Sequence, residues 1–249
     1  MRILIVWEDD NFESLGRIMV SRRGALRPMS QPDYPELLFH TARGNGNFVR
    51  YAGKTWRNIR AKGLPNNPGA IDHLICVVDA DKLSQLLPST GRLPAAPEDV
   101  SDWHKSAETV FVELIRQACR ESSMPPDTVH GIALRWAKES VVLAAYDCYA
   151  SKDKLGIDIE RKEVAEFLAK CAPPPEQVKR SMFSNTYRHP VRCIDGLLKS
   201  QGLPVLGKGP EYDDVLLALK GEDLGKVCER VPDVDRLVNL VWGLALQRG

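Results

Sequence analysis

The sequence contains no Cys-x-x-Cys pair, no Walker loop, no dinucleotide glycine fingerprint and no internal repeat. Its six cysteines, Cys76, Cys119, Cys148, Cys171, Cys193 and Cys228, are widely scattered, and its five histidines are equally dispersed. That spacing argues against a structural zinc site and suits reduced thiols in a cytosolic fold. No apolar run approaches the roughly 20 residues of a membrane-spanning helix. A formal net charge of +1 means that nothing global calls for a polyanionic partner. A strand pattern beginning at the second residue leaves no room for a signal or transit peptide, so a cytoplasmic protein is expected.

What the chain does have is a pair of acidic strand ends. Leu74-Ile75-Cys76-Val77-Val78-Asp79-Ala80-Asp81 is a short apolar run rich in β-branched residues, the pattern of a strand buried on both faces of a parallel sheet. Residues two apart in an extended chain point the same way, so Asp79 and Asp81 would leave the strand tip on one side. Like charges held this close repel unless a proton or cation intervenes, and an oxygen-seeking ion such as Mg²⁺ is the usual remedy. The competing reading has Asp79 capping the next helix, with Asp81 in solvent. Arg2-Ile3-Leu4-Ile5-Val6-Trp7 forms a second buried-strand pattern and runs into Glu8-Asp9-Asp10.

Strand-like and helix-like patterns alternate over the first 150 residues. A helix carrying Phe12, Leu15, Ile18 and Met19 is expected after the first strand, and a second strand over Glu36 to Thr41. A glycine-rich basic stretch precedes the strand ending at Asp79. Proline-rich residues 88 to 100 read as a loop. Ser101 to Glu121 is expected to form a helix, followed by Pro125-Pro126. Val129 to Trp136 reads as a strand leading into a helix that bears Glu139. Alternating strands and helices imply a parallel sheet covered on both faces. From 151 to 249 the pattern changes to mostly short helices, expected at 160–171, 176–183, 190–200, 211–220 and 233–247. The expected organisation is an α/β core over 1–150 and a mostly helical C-terminal region.

If the three strands lie side by side, Glu8, the Asp79/Asp81 pair and Glu139 meet at one edge of the sheet. Glu139 also suits a first helical turn without any ligand, because the helix dipole favours an acidic residue there. A glutamate closing the first strand and an Asp-x-Asp closing a later buried strand resemble the Toprim signature. That Rossmannoid domain is shared by topoisomerases, bacterial primases and nucleases of the overcoming-lysogenization-defect type. The segment from Ala133 to Asp147 is similar to the third motif of small Toprim-like proteins from bacterial defence loci. The resemblance covers roughly residues 1 to 150. It implies a general acid/base role for Glu8, Mg²⁺ (or Mn²⁺) binding by Asp79 and Asp81, and Glu139 as a further ligand. It also implies a nucleic-acid substrate and an ATPase or sensor protein as partner. Asp9 stands where the family usually has glycine, and no tyrosine stands out as a strand-passage nucleophile.

A substrate surface is suggested by the stretch from Leu37 to Ile71, which has no acidic residue but contains Arg43, Arg50, Lys54, Arg57, Arg60 and Lys62. Phosphate binding needs such a local concentration of cations. Phe48, Tyr51 and Trp56 either offer faces for stacking bases or belong to the core. A second basic group comprises Lys179, Arg180, Arg188, His189 and Arg192. The leading expectation is therefore a Mg²⁺-dependent nuclease. One alternative is a receiver-like signalling domain, since Ile3 to Asp10 looks like the opening of a response regulator. Another is a non-catalytic α/β domain that binds nucleic acid or protein.

Overall fold

The computed structural model describes residues 1–8, 35–43, 47–79, 100–134, 199 and 221–246. Among these residues four strands form one parallel sheet: β1 (Arg2–Trp7), β2 (Glu36–Thr41), β5 (His73–Asp79) and β6 (Val129–Leu134). Their spatial order is β2-β1-β5-β6. Each strand is short and apolar. Ile3 to Trp7 and Leu74 to Val78 are all at most 1% exposed, so both sheet faces are covered, as their uninterrupted apolar pattern predicts. The chain is α/β with a parallel sheet.

One face carries a closely packed core. Leu4, Val6, Leu74, Cys76 and Val78 pack with Phe48, Trp56, Phe111 and Ile115 from the helices above them. The covering elements are α1 (Asn47–Arg50), a wide helical turn (Tyr51–Thr55), α2 (Trp56–Lys62) and the long helix α3 (Val100–Glu121). The glycine-rich basic stretch is thus helical over much of its length. Phe48, Ala52 and Trp56 recur every four residues and form its buried stripe. The helical path breaks at Gly53 (φ −88°, ψ −122°). A small hairpin of β3 (Gly63–Leu64) and β4 (Asn67–Pro68) follows and was not expected from the sequence. Gly63 there has φ +78°, and a Cβ would lie 2.6 Å from backbone oxygens of Asn67 and Gly69.

Arg2 fixes the amino ends of the strands. Its backbone N–H donates to Asp72 Oδ2 at 2.8 Å, and its guanidinium Nε pairs with Glu36 Oε2 at 2.9 Å. On β6, Gly131 lets α3 come close. A Cβ there would stand 2.9 Å from Ile115 Cδ1 and 3.0 Å from Val112 Cγ2.

Two C-terminal helices are described, α4 (Gly221–Arg230) and α5 (Pro232–Leu246). The sequence reading foresaw the second but not the first. Helix α5 packs against β6, and Arg236 pairs with Glu108 of α3, so this part of the C-terminal region is built onto the sheet. The boundary expected at residue 150 lies outside the described residues, as do the helices expected after β1 and at 160–171, 176–183 and 211–220. Of the helix expected at 190–200, only Lys199 is described.

Candidate active site

The four long strands, numbered in chain order, lie 2-1-3-4. In such sheets the connections leave β1 on one side and the next inner strand on the other, and ligands bind in the crevice outside the carboxyl ends at that switch point. Here the switch point falls between β1 and β5. Their register pairs Leu4 with Leu74 and Trp7 with Val77. Glu8 directly follows Trp7, and Asp79 ends β5 two residues beyond Val77. The sequence-predicted Glu8 and Asp79 therefore occupy the carboxyl ends of neighbouring strands, whose backbones are about 4.8 Å apart. Asp79 is also in register with Leu134, the last residue of β6.

Glu8 is half-buried. Asp81 and Glu139 lie outside the described residues, although β6 delivers the chain to the same edge five residues before Glu139. Among the described residues no group of three or more His, Cys, Asp or Glu side chains is placed to hold a metal ion. The hard carboxylate oxygens of Glu8 and Asp79 match Mg²⁺ or Mn²⁺ in donor chemistry.

The basic segment lies on the other side of β1. Trp7 is in register with Thr41, and the Ala42 N–H donates to the Trp7 carbonyl at 2.6 Å. Arg43 therefore follows the end of β2, one strand away from Glu8. It is exposed and adopts φ +53°, a left-handed conformation that is uncommon outside glycine. The side-chain amide of Asn47 holds this turn by donating to the carbonyls of Ala42 at 2.6 Å and Arg43 at 3.1 Å. Arg50, Lys54, Arg57 and Lys62 are exposed along α1 to α2, and Arg60 is half-buried. Among the described residues none of these six cations forms an ion pair.

The aromatic side chains divide. Phe48 and Trp56 are fully buried. Phe48 meets Phe111 edge-on at 5.7 Å between ring centroids, and Trp56 Nε1 donates to Thr128 Oγ1 at 3.4 Å. They are core residues and offer no stacking face. Tyr51 remains at the surface and is hydrogen-bonded to His40 Nε2 at 2.5 Å. His40 is a site residue that the sequence reading missed. A lone histidine near a strand end carries no signal of its own, and only the position of the wide helical turn beside β2 reveals its partner.

His40, Arg43, Asn47, Arg50, Tyr51 and Thr55 line a cleft of about 640 Å³ at the carboxyl end of β2. Partial desolvation and the nearby Arg43 lower the pKa of His40, favouring the neutral imidazole. Desolvation raises the pKa of Tyr51, while Arg50 and Arg43 pull it the other way. A second cleft of about 710 Å³ runs along β2 toward Leu64 and Asn67 and, among the described residues, is lined by no acidic or basic side chain apart from His40. The second basic group, Lys179 to Arg192, lies outside the described residues.

No family model and no curated protein matches the chain. Among solved structures it is similar to the C-terminal region of the Xanthomonas campestris pv. campestris OLD protein. One such structure shows 12% identity over 100% of this chain and 97% of that one, with a TM-score of 0.34. A second shows 13% identity over 96% of each chain, with a TM-score of 0.32. At such identities a functional reading has to come from the residues themselves.

Among the described residues, no helix is long and apolar enough to cross a membrane.

Proposed function

We propose that the chain is a divalent-metal-dependent phosphodiesterase of Toprim type that cuts DNA or RNA. The observation that carries this reading is the adjacency of β1 and β5 at the switch point, which puts the Glu8 and Asp79 positions side by side. The cationic end of β2 flanks them on the β1 side, so a strand crossing this edge meets positive charge first and carboxylates next. Asp79 and Asp81 would hold Mg²⁺ or Mn²⁺, with Glu139 as a further ligand. The ion would stabilise the charge that develops on the oxygens of an in-line displacement. Glu8 would move the proton, taking it from the attacking water or giving it to the departing sugar oxygen. A cytoplasmic effector role in a prokaryotic defence system, with a partner supplying ATP hydrolysis or target sensing, rests on the resemblance of the motifs alone.

The test is cleavage of labelled single- and double-stranded oligonucleotides by the full chain with Mg²⁺ or Mn²⁺. Asp79→Asn and Asp81→Asn should each abolish cleavage and leave the thermal midpoint level or higher, because one of two repelling charges is gone. Cleavage undiminished in both variants, or in excess chelator, would remove the site.

The 2-1-3-4 strand order also belongs to flavodoxin-like sheets, the arrangement of response-regulator receivers. That shared order favours a receiver-like phosphorylation domain as the second reading. Stoichiometric labelling of an aspartate by acetyl phosphate, without nucleic-acid cleavage, would establish it instead.

A further inference from the structure

The cleft at the end of β2 separates the basic residues into two sets. Arg43 and Arg50 line it, whereas Lys54, Arg57, Arg60 and Lys62 do not. Among the described residues no acidic side chain lines the cleft, and its volume of about 640 Å³ lies within the range of small-ligand sites. It is too small for a duplex and suits one nucleotide.

We propose that this cleft is a specific site for a terminal phosphomonoester of a nucleic-acid strand, with Arg43 and Arg50 as its charge partners and Tyr51 as a neutral donor. The proposal rests on the nucleic-acid reading above and narrows its substrate to strands that end in phosphate. Charge complementarity selects the monoester. A phosphodiester carries one negative charge, whereas a terminal phosphate, with a second pKa near 6, carries almost two at neutral pH. Arg43 and Arg50 both line this one small cleft and both charges act on Tyr51, which matches the second case. Planar guanidinium forks also suit the adjacent oxygens of a phosphate better than ammonium groups do.

The His40–Tyr51 contact supplies the third donor. With the ring proton on Nε2, His40 donates to Tyr51 Oη at 2.5 Å and leaves the phenol proton directed elsewhere. The rings meet edge-on, with centroids 5.4 Å apart, so the phenol is held by both packing and hydrogen bonding. In that tautomer the Tyr51 hydroxyl can donate to an anion in the cleft that Arg43 and Arg50 line. His40 and Asn47 act as positioning residues: His40 orients the phenol, and Asn47 fixes the turn that carries Arg43.

The test measures binding of the full chain to one short single strand carrying a 5′-phosphate, a 3′-phosphate or hydroxyls at both ends, without divalent metal. Adenosine 5′-monophosphate and inorganic phosphate serve as small probes. One phosphorylated form should bind about tenfold or more tighter than the hydroxyl-ended strand, the scale of losing a charged hydrogen-bonded partner. Which form it is identifies the end. Arg43→Gln and Arg50→Gln should remove that ratio. Tyr51→Phe should reduce it severalfold while leaving the thermal midpoint near the parent's, and it serves alone if either arginine variant fails to fold. Lys54→Gln with Arg57→Gln should weaken all strands alike and preserve the ratio. Equal binding of all three strands overturns the proposal, as does a ratio that survives both Arg50→Gln and Tyr51→Phe. Because no metal is present, an end preference without any cleavage activity would support this site while counting against the nuclease reading. Cleavage with no end preference would do the reverse.

Discussion

Glu108 Oε2 accepts a hydrogen bond from the backbone N–H of Ala133 at 2.7 Å, so a side chain of α3 supplies the acceptor for a strand N–H of β6. The other carboxylate oxygen of Glu108 pairs with Arg236 of α5, and Arg236 Nη1 reaches the buried Asp233 at 3.2 Å. One carboxylate thus joins the long helix, the outer strand and the C-terminal helix. The joint lies one residue before the carboxyl end of β6, where the chain departs toward Glu139. Glu108→Ala should cost about 1.5 to 3 kcal/mol, because it leaves a strand N–H without its charged acceptor and Arg236 with Asp233 alone. Glu108→Gln keeps an acceptor and should cost less. Urea unfolding of the two variants checks both the size and the order. Equal, negligible losses would show that the edge is held by other contacts.

His130 faces His73 across β5 and β6, with Nε2 and Nδ1 3.3 Å apart. Burial, then His73 and Arg116, push its pKa down to about 4 against the pull of Asp127. The unfolded chain therefore binds a proton below about pH 6.5 that folded His130 refuses until about pH 4. Stability should fall as pH drops through that window and stop falling from this source below it, by about 3 kcal/mol at most. Urea midpoints of the parent and of His130→Gln between pH 4.5 and 7 test this. The variant should show the shallower dependence, and superimposable profiles would acquit His130.

Lys54, Arg57 and Lys62 are exposed cations on the helical segment, outside the cleft. If they touch successive phosphates, changing all three to Ala should lower the slope of log K against log salt by about 2 to 3. Circular dichroism should stay unchanged, since the core stripe of Phe48, Ala52 and Trp56 faces the other way. A parent-like salt slope would move the backbone contacts elsewhere, with Lys179 to Arg192 next in line.

Glu139→Gln separates a metal ligand from a helix-dipole residue. As a ligand, its loss should raise the Mg²⁺ requirement for cleavage sharply, with partial rescue by Mn²⁺. As a dipole partner alone, it should cost about 0.3 to 1 kcal/mol of stability and leave the Mg²⁺ titration superimposed on the parent's. The first outcome is expected.

The features legible before folding are those written in local periodicity. Uninterrupted apolar runs marked β1 and β5 as doubly buried strands, and the stripe from Val110 to Cys119 marked α3. The acidic ends at Glu8 and Asp79 were legible for the same reason, because a charge after such a run has to lie at a strand end. The helical nature of 47–62 was also encoded, in Phe48, Ala52 and Trp56 four residues apart, but glycines and cations between them obscured it. Helix α4 was missed as well, for its buried Leu224, Val227 and Cys228 are set among charges and glycines. Folding alone set β5 beside β1, since strand order is a long-range pairing that no local pattern contains. It likewise placed Phe48 and Trp56 in the core, brought His40 to Tyr51, and joined Glu108 to Arg236 across 128 residues. Each of these is a contact between distant segments, and its free energy exists only once the chain has folded.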